Sequence, residues 1–155
     1  MVTSRDLPTD RLAIGQLLVR LLREFRTELF EPAASRGYVD LREPHLQIFG
    51  NIGIDGMRLT ELAARAQLSL SAASELINDL QELGYLERRP DPADRRAKLI
   101  LPTARGRRVL ADAGDRVAEI EERWSQIVGT RKFADACRTL QNLLDGIERT
   151  HGAAS

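Results

Sequence analysis

Two short amphipathic segments joined by a tight turn constrain the fold more than any other feature of the sequence. The stretch reads MRLTELAARAQLSLSAASELINDLQELGYLERR. Thr60 is placed to cap a first short helix, Gln67 and Leu68 turn the chain, and Ser69 is placed to cap a second helix. The residues of the first helix predicted to face inward are Leu62, Ala63 and Ala66. This pattern predicts a helix-turn-helix.

The second helix is predicted to have one apolar and one polar face. Its apolar stripe at helical spacing comprises Ala73, Leu76, Ile77, Leu80 and Leu83. Gly84 follows where the residue after a helix adopts left-handed geometry. The polar face carries short side chains near the helix N-terminus, the end that a recognition helix presents to DNA bases. The candidate base-contacting residues are Ser69, Ser71, Ser74, Glu75 and Asn78.

A charged hairpin is predicted after the second helix. Tyr85–Arg89 and Ala97–Leu101 are expected to be strands, the first ending at Pro90, with PDPADRR as the loop between them. The two prolines stiffen this loop by fixing φ, and its two aspartates favour turns through bonds to backbone amides. Such a hairpin would give the helix-turn-helix a wing.

Charge is distributed unevenly although the chain has none overall. Basic and acidic residues number 23 each, so net charge indicates no partner. Residues 87–108, however, contain eight basic and three acidic side chains, an excess of five positive charges that the remainder balances. A solvated charged loop is one interpretation. The other is a stiff hairpin that holds arginines out toward phosphates or a narrow minor groove.

With these features in one order, RLTELAARAQLSLSAASELINDLQELGYLERRPDPADRRAKLILPTARG resembles the core of the MarR-type winged-helix transcriptional regulators. The shared features are the helix-turn-helix, Gly-Tyr-Leu before the wing, Asp-Arg-Arg at its tip and Thr-x-x-Gly after it. The resemblance implies a homodimer on pseudo-palindromic double-stranded DNA, with Arg96 entering the minor groove and Asp94 orienting it. It also implies that Thr103 and Gly106 begin the next long helix. The candidate wing residues are Arg88, Asp94, Arg95, Arg96 and Lys98.

Two departures from the family pattern are evident. Pro102 stands where the family usually has an aliphatic residue, and is expected to end the wing strand early. The recognition helix carries Glu75, Asp79 and Glu82 but no lysine or arginine, which would weaken attraction to phosphates. Glu75 either accepts a hydrogen bond from a cytosine amino group or is an exposed carboxylate without a role. The wing is therefore expected to supply most of the attraction to DNA.

Long amphipathic helices flank this region. The first is expected from about Thr9 to Ala33, with Thr9 or Asp10 as its N-cap. A second begins near Pro44, and two more fill the C-terminal third on either side of Gly129. One small domain cannot bury all their apolar faces, so a homodimer is predicted; an intrachain bundle is the alternative. The candidate dimerisation residues are Leu18, Leu21, Phe25, Val117, Ile120, Trp124, Phe133, Leu140 and Leu144.

The predicted fold class is thus mainly α with a small β-hairpin wing (α+β). We expect a winged helix-turn-helix at residues 40–104, helical dimerisation segments at 9–35 and 105–150, and a single compact chain. No apolar run of about 18 residues or secretory layout is present, so no membrane contact and a cytoplasmic location are expected. One cysteine and two histidines predict neither disulfide nor metal site, and no cofactor. Cys137 is expected to be a small buried hydrophobe; redox sensing is the alternative.

The predicted function is that of a sequence-specific DNA-binding transcriptional regulator, which the resemblance implies to be a ligand-responsive repressor. By resemblance, Tyr38 and His45 are candidates for a cavity that binds a small aromatic or anionic effector; a purely structural role for both is the alternative. No catalytic grouping of residues is evident, so the chain is not expected to be an enzyme. The rival hypothesis is a protein-interaction module whose acidic recognition helix binds a basic partner.

Overall fold

The computed structural model describes residues 6–31 and 37–154. Within them the elements are α1 (Ile14–Phe30), α2 (His45–Phe49), α3 (Leu59–Ala66), α4 (Leu70–Glu82), β1 (Leu86–Asp91), β2 (Asp94–Pro102), α5 (Ala104–Val128) and α6 (Thr130–Ala153). β1 and β2 form a two-stranded antiparallel sheet, which we call the wing. The predicted fold class, mainly α with a β-hairpin, is confirmed.

Packing divides the chain into two compact units, one ending at Gly114 and the other beginning at Asp115. The first holds α1 to α4, the wing and the start of α5, and the second holds the rest of α5 and α6. The division falls inside α5, beyond the predicted boundary at residues 104–105. The reason is that the start of α5 packs on the winged-helix core, where Val109 is buried and Leu110 partly buried.

The helix-turn-helix is present, with one correction at its start. α3 begins at Leu59 with Arg58 as N-cap, so Thr60 lies within the first turn and the prediction that it caps the helix is wrong. Gln67 ends α3 in the left-handed conformation, at φ 54°. Ser69 caps α4 as predicted, because its Oγ accepts a hydrogen bond of 3.0 Å from the Ala72 amide. This cap sets the first turn of the recognition helix.

The far end of α4 is closed by a Schellman motif. Gly84 has φ 83°, and its N–H donates to the Gln81 carbonyl at 3.1 Å. The Tyr85 N–H donates to the Leu80 carbonyl at 2.8 Å. These two bonds satisfy carbonyls that the helix end would leave without partners. Glycine is favoured at position 84 because it adopts the left-handed backbone conformation without steric cost. The chain then turns directly into the wing.

The core of the first unit lies between α2, α3, α4 and the wing. Its buried members are Leu41, Ile48, Phe49, Ile52, Met57, Leu62, Ala63, Ala73, Ile77, Leu80, Tyr85, Leu86, Ile100 and Val109. Of the predicted α4 stripe, Leu76 and Leu83 are only partly buried. The rings of Phe49 and Tyr85 meet edge to face with centroids 5.9 Å apart. One apolar cluster therefore holds the recognition helix against the base of the wing.

The wing is longer and its turn tighter than predicted. β1 and β2 leave only Pro92 and Ala93 between them, so most of the expected PDPADRR loop is strand. Pro90 lies within β1 opposite Lys98, which a sheet edge tolerates because no neighbour there needs its missing N–H. Pro102 does not end β2 early: it is the last residue of the strand and is buried.

The start of α5 explains the Thr-x-x-Gly pattern. The Thr103 Oγ1 donates to the Gly84 carbonyl at 2.6 Å and accepts from the Gly106 amide at 3.2 Å. A Cβ at Gly106 would lie 2.1 Å from the carbonyl oxygen of Tyr85. Because no side chain fits in that space, glycine allows α5 to start against the base of the wing. The predicted role of Thr103 and Gly106 is confirmed.

α1 and α6 have apolar faces but no buried residue. α1 starts later than predicted: Ala13 is its N-cap, and the Gln16 side chain accepts from the Ala13 amide at 3.3 Å. The predicted end at Ala33 lies outside the described residues. The large hydrophobic residues exposed on these helices are Ile14, Leu18, Val19, Leu21 and Leu22 on α1, and Leu140, Leu143, Leu144 and Ile147 on α6. No helix in the described ranges is long and apolar enough to cross a membrane.

Candidate nucleic-acid interface

The polar face of α4 carries the predicted base-contacting residues. Ser69 at the N-cap, Ser71, Glu75 and Asn78 are exposed, and Ser74 is half-buried. The opposite face is occupied by the core residues Ala73, Ile77 and Leu80, so the two faces separate as the periodicity predicted. The N-terminal turns of α4 thus present hydroxyl, amide and carboxylate groups together, the donors and acceptors that match base edges.

Arg88, on β1, is bonded to the recognition helix. Its Nη2 donates to Asn78 Oδ1 at 2.9 Å, and its Nη1 donates to Gln81 Oε1. Arg88 was predicted as a wing residue that contacts DNA, and Gln81 was not predicted at all. The signal for Gln81 was available, because it lies three residues after Asn78 on the same helix face. The guanidinium therefore joins the base of the wing to the helix.

The wing tip projects the other predicted cations. Arg95, Arg96 and Lys98 are exposed on β2, as is Asp94. Asp94 Oδ1 accepts a hydrogen bond from the Arg96 backbone amide at 3.0 Å. The structure thus brings Asp94 and Arg96 together, and their contact is through the main chain. A carboxylate fixed in this way shapes the backbone from which the arginine side chain extends.

Asp91 holds the wing turn from the inside. Its Oδ1 accepts from the Ala93 amide at 2.9 Å, and its Oδ2 accepts from Nε and Nη2 of Arg58 at 3.0 and 2.8 Å. The Ala93 amide, and next the Arg58 guanidinium, hold the pKa of this carboxyl below its usual value. The predicted role of Asp91 in the turn is confirmed. Its link to Arg58 at the start of α3 joins residues far apart in sequence and was not predicted.

The acidity of the recognition helix is partly neutralised by a neighbouring segment. Asp79 Oδ2 lies 2.9 Å from Arg42 Nη2, in an exposed ion pair. Arg88 places a second cation beside the same helix. Glu75 and Glu82 are exposed. Two cations supplied by other segments therefore compensate for the lysines and arginines that α4 lacks.

A polar cluster fixes the C-terminal end of α4. Arg105 donates from Nη1 to the Leu83 carbonyl at 2.6 Å and from Nη2 to Asp40 Oδ2 at 3.2 Å. Its guanidinium lies 4.2 Å from the centroid of the Tyr85 ring. The Tyr85 hydroxyl donates to Asp40 Oδ1 at 2.5 Å, and burial together with this carboxylate raises the pKa of Tyr85. The cluster joins α5, the wing and α4 with groups that all have partners.

The two predicted effector residues belong to the framework. The Tyr38 hydroxyl donates to Asp112 Oδ2 at 2.6 Å, a bond that raises the pKa of Tyr38. His45 is 1% exposed; its Nδ1 accepts from the Arg42 amide at 3.0 Å, and burial lowers its pKa. His45 Nε2 has no hydrogen-bond partner among the described residues and lies 3.9 Å from Asp79 Oδ2.

A cavity of about 620 Å³ lies along α1. It is lined by Val19, Leu22, Arg23, Arg26, Thr27, Phe30, Glu31 and Glu43. The predicted pair therefore does not line it. The apolar and cationic side chains of α1 form its wall instead.

The predicted dimerisation residues differ in accessibility. Leu18, Leu21, Leu140 and Leu144 are exposed, and Phe25, Val117, Trp124 and Phe133 are half-buried. Ile120 is buried within the chain and has no surface left for a partner. Cys137 is exposed on α6, so the expectation of a buried cysteine is wrong for one chain, because α6 buries none of its residues. In residues 6–31 and 37–154, no cluster of three or more His, Cys, Asp or Glu could hold a metal.

Comparisons with known proteins place this geometry in context. A family model described as the MarR family matches residues 36–97. The chain is 28% identical to a MarR-family transcriptional regulator from Rhodococcus sp. RHA1, covering 90% of this chain and 96% of that one, with a TM-score of 0.67. No curated protein sequence matches the chain.

Two further solved structures are similar. CouR from Rhodococcus jostii RHA1, solved with p-coumaroyl-CoA bound, is 29% identical over 90% of this chain and 95% of that chain, with a TM-score of 0.67. A mutant of S. aureus MepR bound to an oligodeoxyribonucleotide is 16% identical over 88% of this chain and 99% of that chain, with a TM-score of 0.56. At 16% identity, the similarity to MepR shows a shared fold.

Proposed function

We propose that the chain is a MarR-type winged-helix transcriptional regulator and not an enzyme, and that it acts as a homodimer on a pseudo-palindromic DNA site. Each subunit would place α4 in a major groove and its wing along the adjacent minor groove. The observation that carries the proposal is that the polar face of α4 and the cationic tip of the wing are both exposed on one compact unit. A cytoplasmic location, with access to the DNA, is part of the proposal.

The charges of the described residues favour DNA over a basic protein partner. Arg95, Arg96 and Lys98 extend from β2, and Arg42 neutralises Asp79 on the recognition helix. Exposed guanidinium groups on a short turn suit phosphates or a narrow minor groove, where negative potential is highest. One of the three carboxylates that α4 could offer a basic protein is thus already paired. The MepR mutant, bound to an oligodeoxyribonucleotide, has the same fold.

The homodimer is supported by apolar surface on α1 and α6. Both helices expose leucines at helical spacing, with Leu144 49% exposed, and neither buries a residue within the chain. Exposed leucines in such rows are typical of a surface that another protein covers. A second copy with two-fold symmetry would present two recognition helices, which matches an inverted repeat in DNA. Leu18, Leu21, Leu140 and Leu144 are the proposed contacts.

A small ligand is proposed to weaken DNA binding and so to relieve repression. The cavity along α1 has a volume of about 620 Å³, within the range of small-molecule sites. Its wall combines apolar side chains with two arginines and two glutamates, so an aromatic or acyl group could pack on the former while Arg23 and Arg26 bind an anionic group. CouR, at 29% identity, was solved with p-coumaroyl-CoA. A ligand that changes the spacing of the recognition helices would lower DNA affinity.

Salt-dependent DNA binding tests the proposal. Duplex DNA from upstream of the protein's own gene is titrated with the protein at several salt concentrations. We expect affinity to fall steeply with salt, and Arg96→Ala to weaken binding about tenfold and reduce the salt slope by about one. The matched control is Arg138→Ala on α6, which removes an exposed charge paired with Asp135 in the second unit.

The outcomes separate DNA binding from its rival. Binding that is indifferent to both salt and Arg96→Ala would overturn the DNA proposal and favour a protein-interaction module. Equal losses for Arg96→Ala and Arg138→Ala would show a general charge effect instead of a wing contact.

A further inference from the structure

We propose that Arg88 is a specificity-determining residue that selects which hydrogen-bonding atoms the recognition helix presents to bases. It does so from the base of the wing, through Asn78 and Gln81 on α4. The inference rests on the proposed function, since it requires α4 to lie in a major groove. It assigns Arg88 a positioning role in place of the phosphate contact expected of a wing arginine.

The chemistry of the three side chains determines how the amides are oriented. A guanidinium has only N–H donors, so an amide that bonds to it must turn its oxygen toward it. Arg88 Nη2 lies 2.9 Å from Asn78 Oδ1, and Nη1 is bonded to Gln81 Oε1. Both carbonyl oxygens are therefore turned toward Arg88. The amide groups have their NH₂ donors left for other partners.

This orientation restricts the bases that Asn78 and Gln81 can contact. The bidentate contact with adenine requires an amide to accept from N6 and donate to N7 together. An amide whose oxygen is turned toward Arg88 presents its NH₂ donors to a base. Guanine offers these donors two acceptors, N7 and O6, and thymine offers O4, whereas adenine sets its N6 amino donor beside N7 and so opposes a second donor. We expect guanine or thymine, and not adenine, at the positions that these two residues face.

Only arginine fits this role. Its planar fork offers two parallel sets of donors and can hold both amides at once, while lysine is a point charge on a flexible stem. Asn78 and Gln81 are three residues apart and so neighbours on the helix surface, at a spacing that one guanidinium spans. If Arg88 served instead as a phosphate contact, lysine would replace it with little loss of base discrimination.

Affinities for single-base variants of the wild type's preferred duplex test the proposal. The proteins compared are wild type, Arg88→Lys, Gln81→Ala and, as the matched control, Arg89→Lys, whose side chain pairs with Glu87. For wild type, adenine at the contacted positions should reduce affinity about 5- to 100-fold. In Arg88→Lys this discrimination should fall below about threefold, while other positions change less than twofold.

Two further variants distinguish the proposed role of Arg88 from a general effect of replacing a wing arginine. Arg89→Lys should retain the wild-type pattern, and Gln81→Ala, an exposed substitution that tests one amide alone, should lose discrimination at one position per half-site. A uniform loss of affinity for all duplexes in Arg88→Lys would show a phosphate contact and overturn the inference. So would unchanged discrimination in Arg88→Lys, whatever the result for Gln81→Ala. Failure of wild type to bind any duplex would instead overturn the proposed function.

Discussion

Replacing Gly106 with alanine should destabilise the protein although the residue lies in a helix. Gly106 is near the start of α5, where alanine normally stabilises a helix by about 0.5–1 kcal/mol over glycine. Here, however, the added Cβ would lie 2.1 Å from the Tyr85 carbonyl oxygen and 3.2 Å from Pro102 Cβ. The first distance is shorter than any real contact, and the atom it meets belongs to the backbone. Relief requires α5 and the base of the wing to separate by about 1 Å.

The cost can be estimated from what that separation disturbs. The Tyr85 carbonyl also accepts the Thr103 amide at 3.0 Å, a bond worth about 1 kcal/mol. Overpacking a well-packed site costs about 1–3 kcal/mol. After the gain in helix propensity, we expect Gly106→Ala to lower the free energy of unfolding by about 1–3 kcal/mol. In a chain of this size, the melting temperature should fall by about 3–10 °C.

Gly114→Ala is the matched control in the same helix. A Cβ at Gly114 would meet no atom of the described residues within 4 Å, so only helix propensity changes. This variant should therefore raise stability by about 0.5–1 kcal/mol. Both variants and the wild type are compared by thermal and urea unfolding at one protein concentration, because the stability of the proposed homodimer would depend on concentration. If Gly106→Ala stabilised the protein as Gly114→Ala does, the close approach of α5 to the wing would be refuted.

Two further predictions concern the wing turn and the proposed subunit interface. Because the pKa of Asp91 is held below its usual 3.8, its contribution to stability is present above that value and lost as pH falls through the lower folded pKa. Asp91→Asn should therefore be less stable at neutral pH and lose less stability than wild type on acidification, as urea unfolding from about pH 6 to pH 2 would show; parallel curves would contradict this role. Leu144→Glu should raise the dimer dissociation constant at least about tenfold by burying a charge, measured by light scattering during gel filtration. Asn142→Glu, which adds the same charge on the opposite face of α6, should leave it unchanged; equal effects would argue against this face as the interface.

The helix-turn-helix was predictable because its signals are local. The stripe of α4, the Ser69 cap and the Gly84 terminus each depend on residues a few positions apart. The misplaced Thr60 cap and the misplaced α1 start reflect the same limit, since several polar residues near a helix start compete for the cap. Periodicity predicts that a helix exists more securely than where it begins.

The sequence predicted a β-hairpin, but the strands of the structure are longer than predicted. The Pro-Asp-Pro sequence is typical of a loop, yet only Pro92 and Ala93 form the turn. What allows the strands to continue is Asp91, which bonds both to the turn and to Arg58 at the start of α3. A contact between residues so far apart has no signature in a single sequence.

Contacts between separate segments of the chain were also not predicted at the candidate interface. These contacts depend on how other segments pack on α4. The wing brings Arg88 to Asn78 and Gln81. The segment before α2 brings Arg42 to Asp79. Counting charges along α4 alone overstated its acidity. Residue types predicted which side chains are polar and exposed, but only packing determines which of their atoms are already bonded.

Selection of bound duplexes from a random pool by the wild-type protein tests the central claim most directly. It measures half-site sequence and spacing together. Two recognition helices on a two-fold axis predict an inverted repeat whose half-sites are about 10 base pairs apart from centre to centre. Enrichment of such a repeat, lost when the selection is performed at high salt, is the expected result. A pool without enrichment, or one enriched in a single unrepeated site, would contradict a homodimer that binds DNA through α4 and the wing.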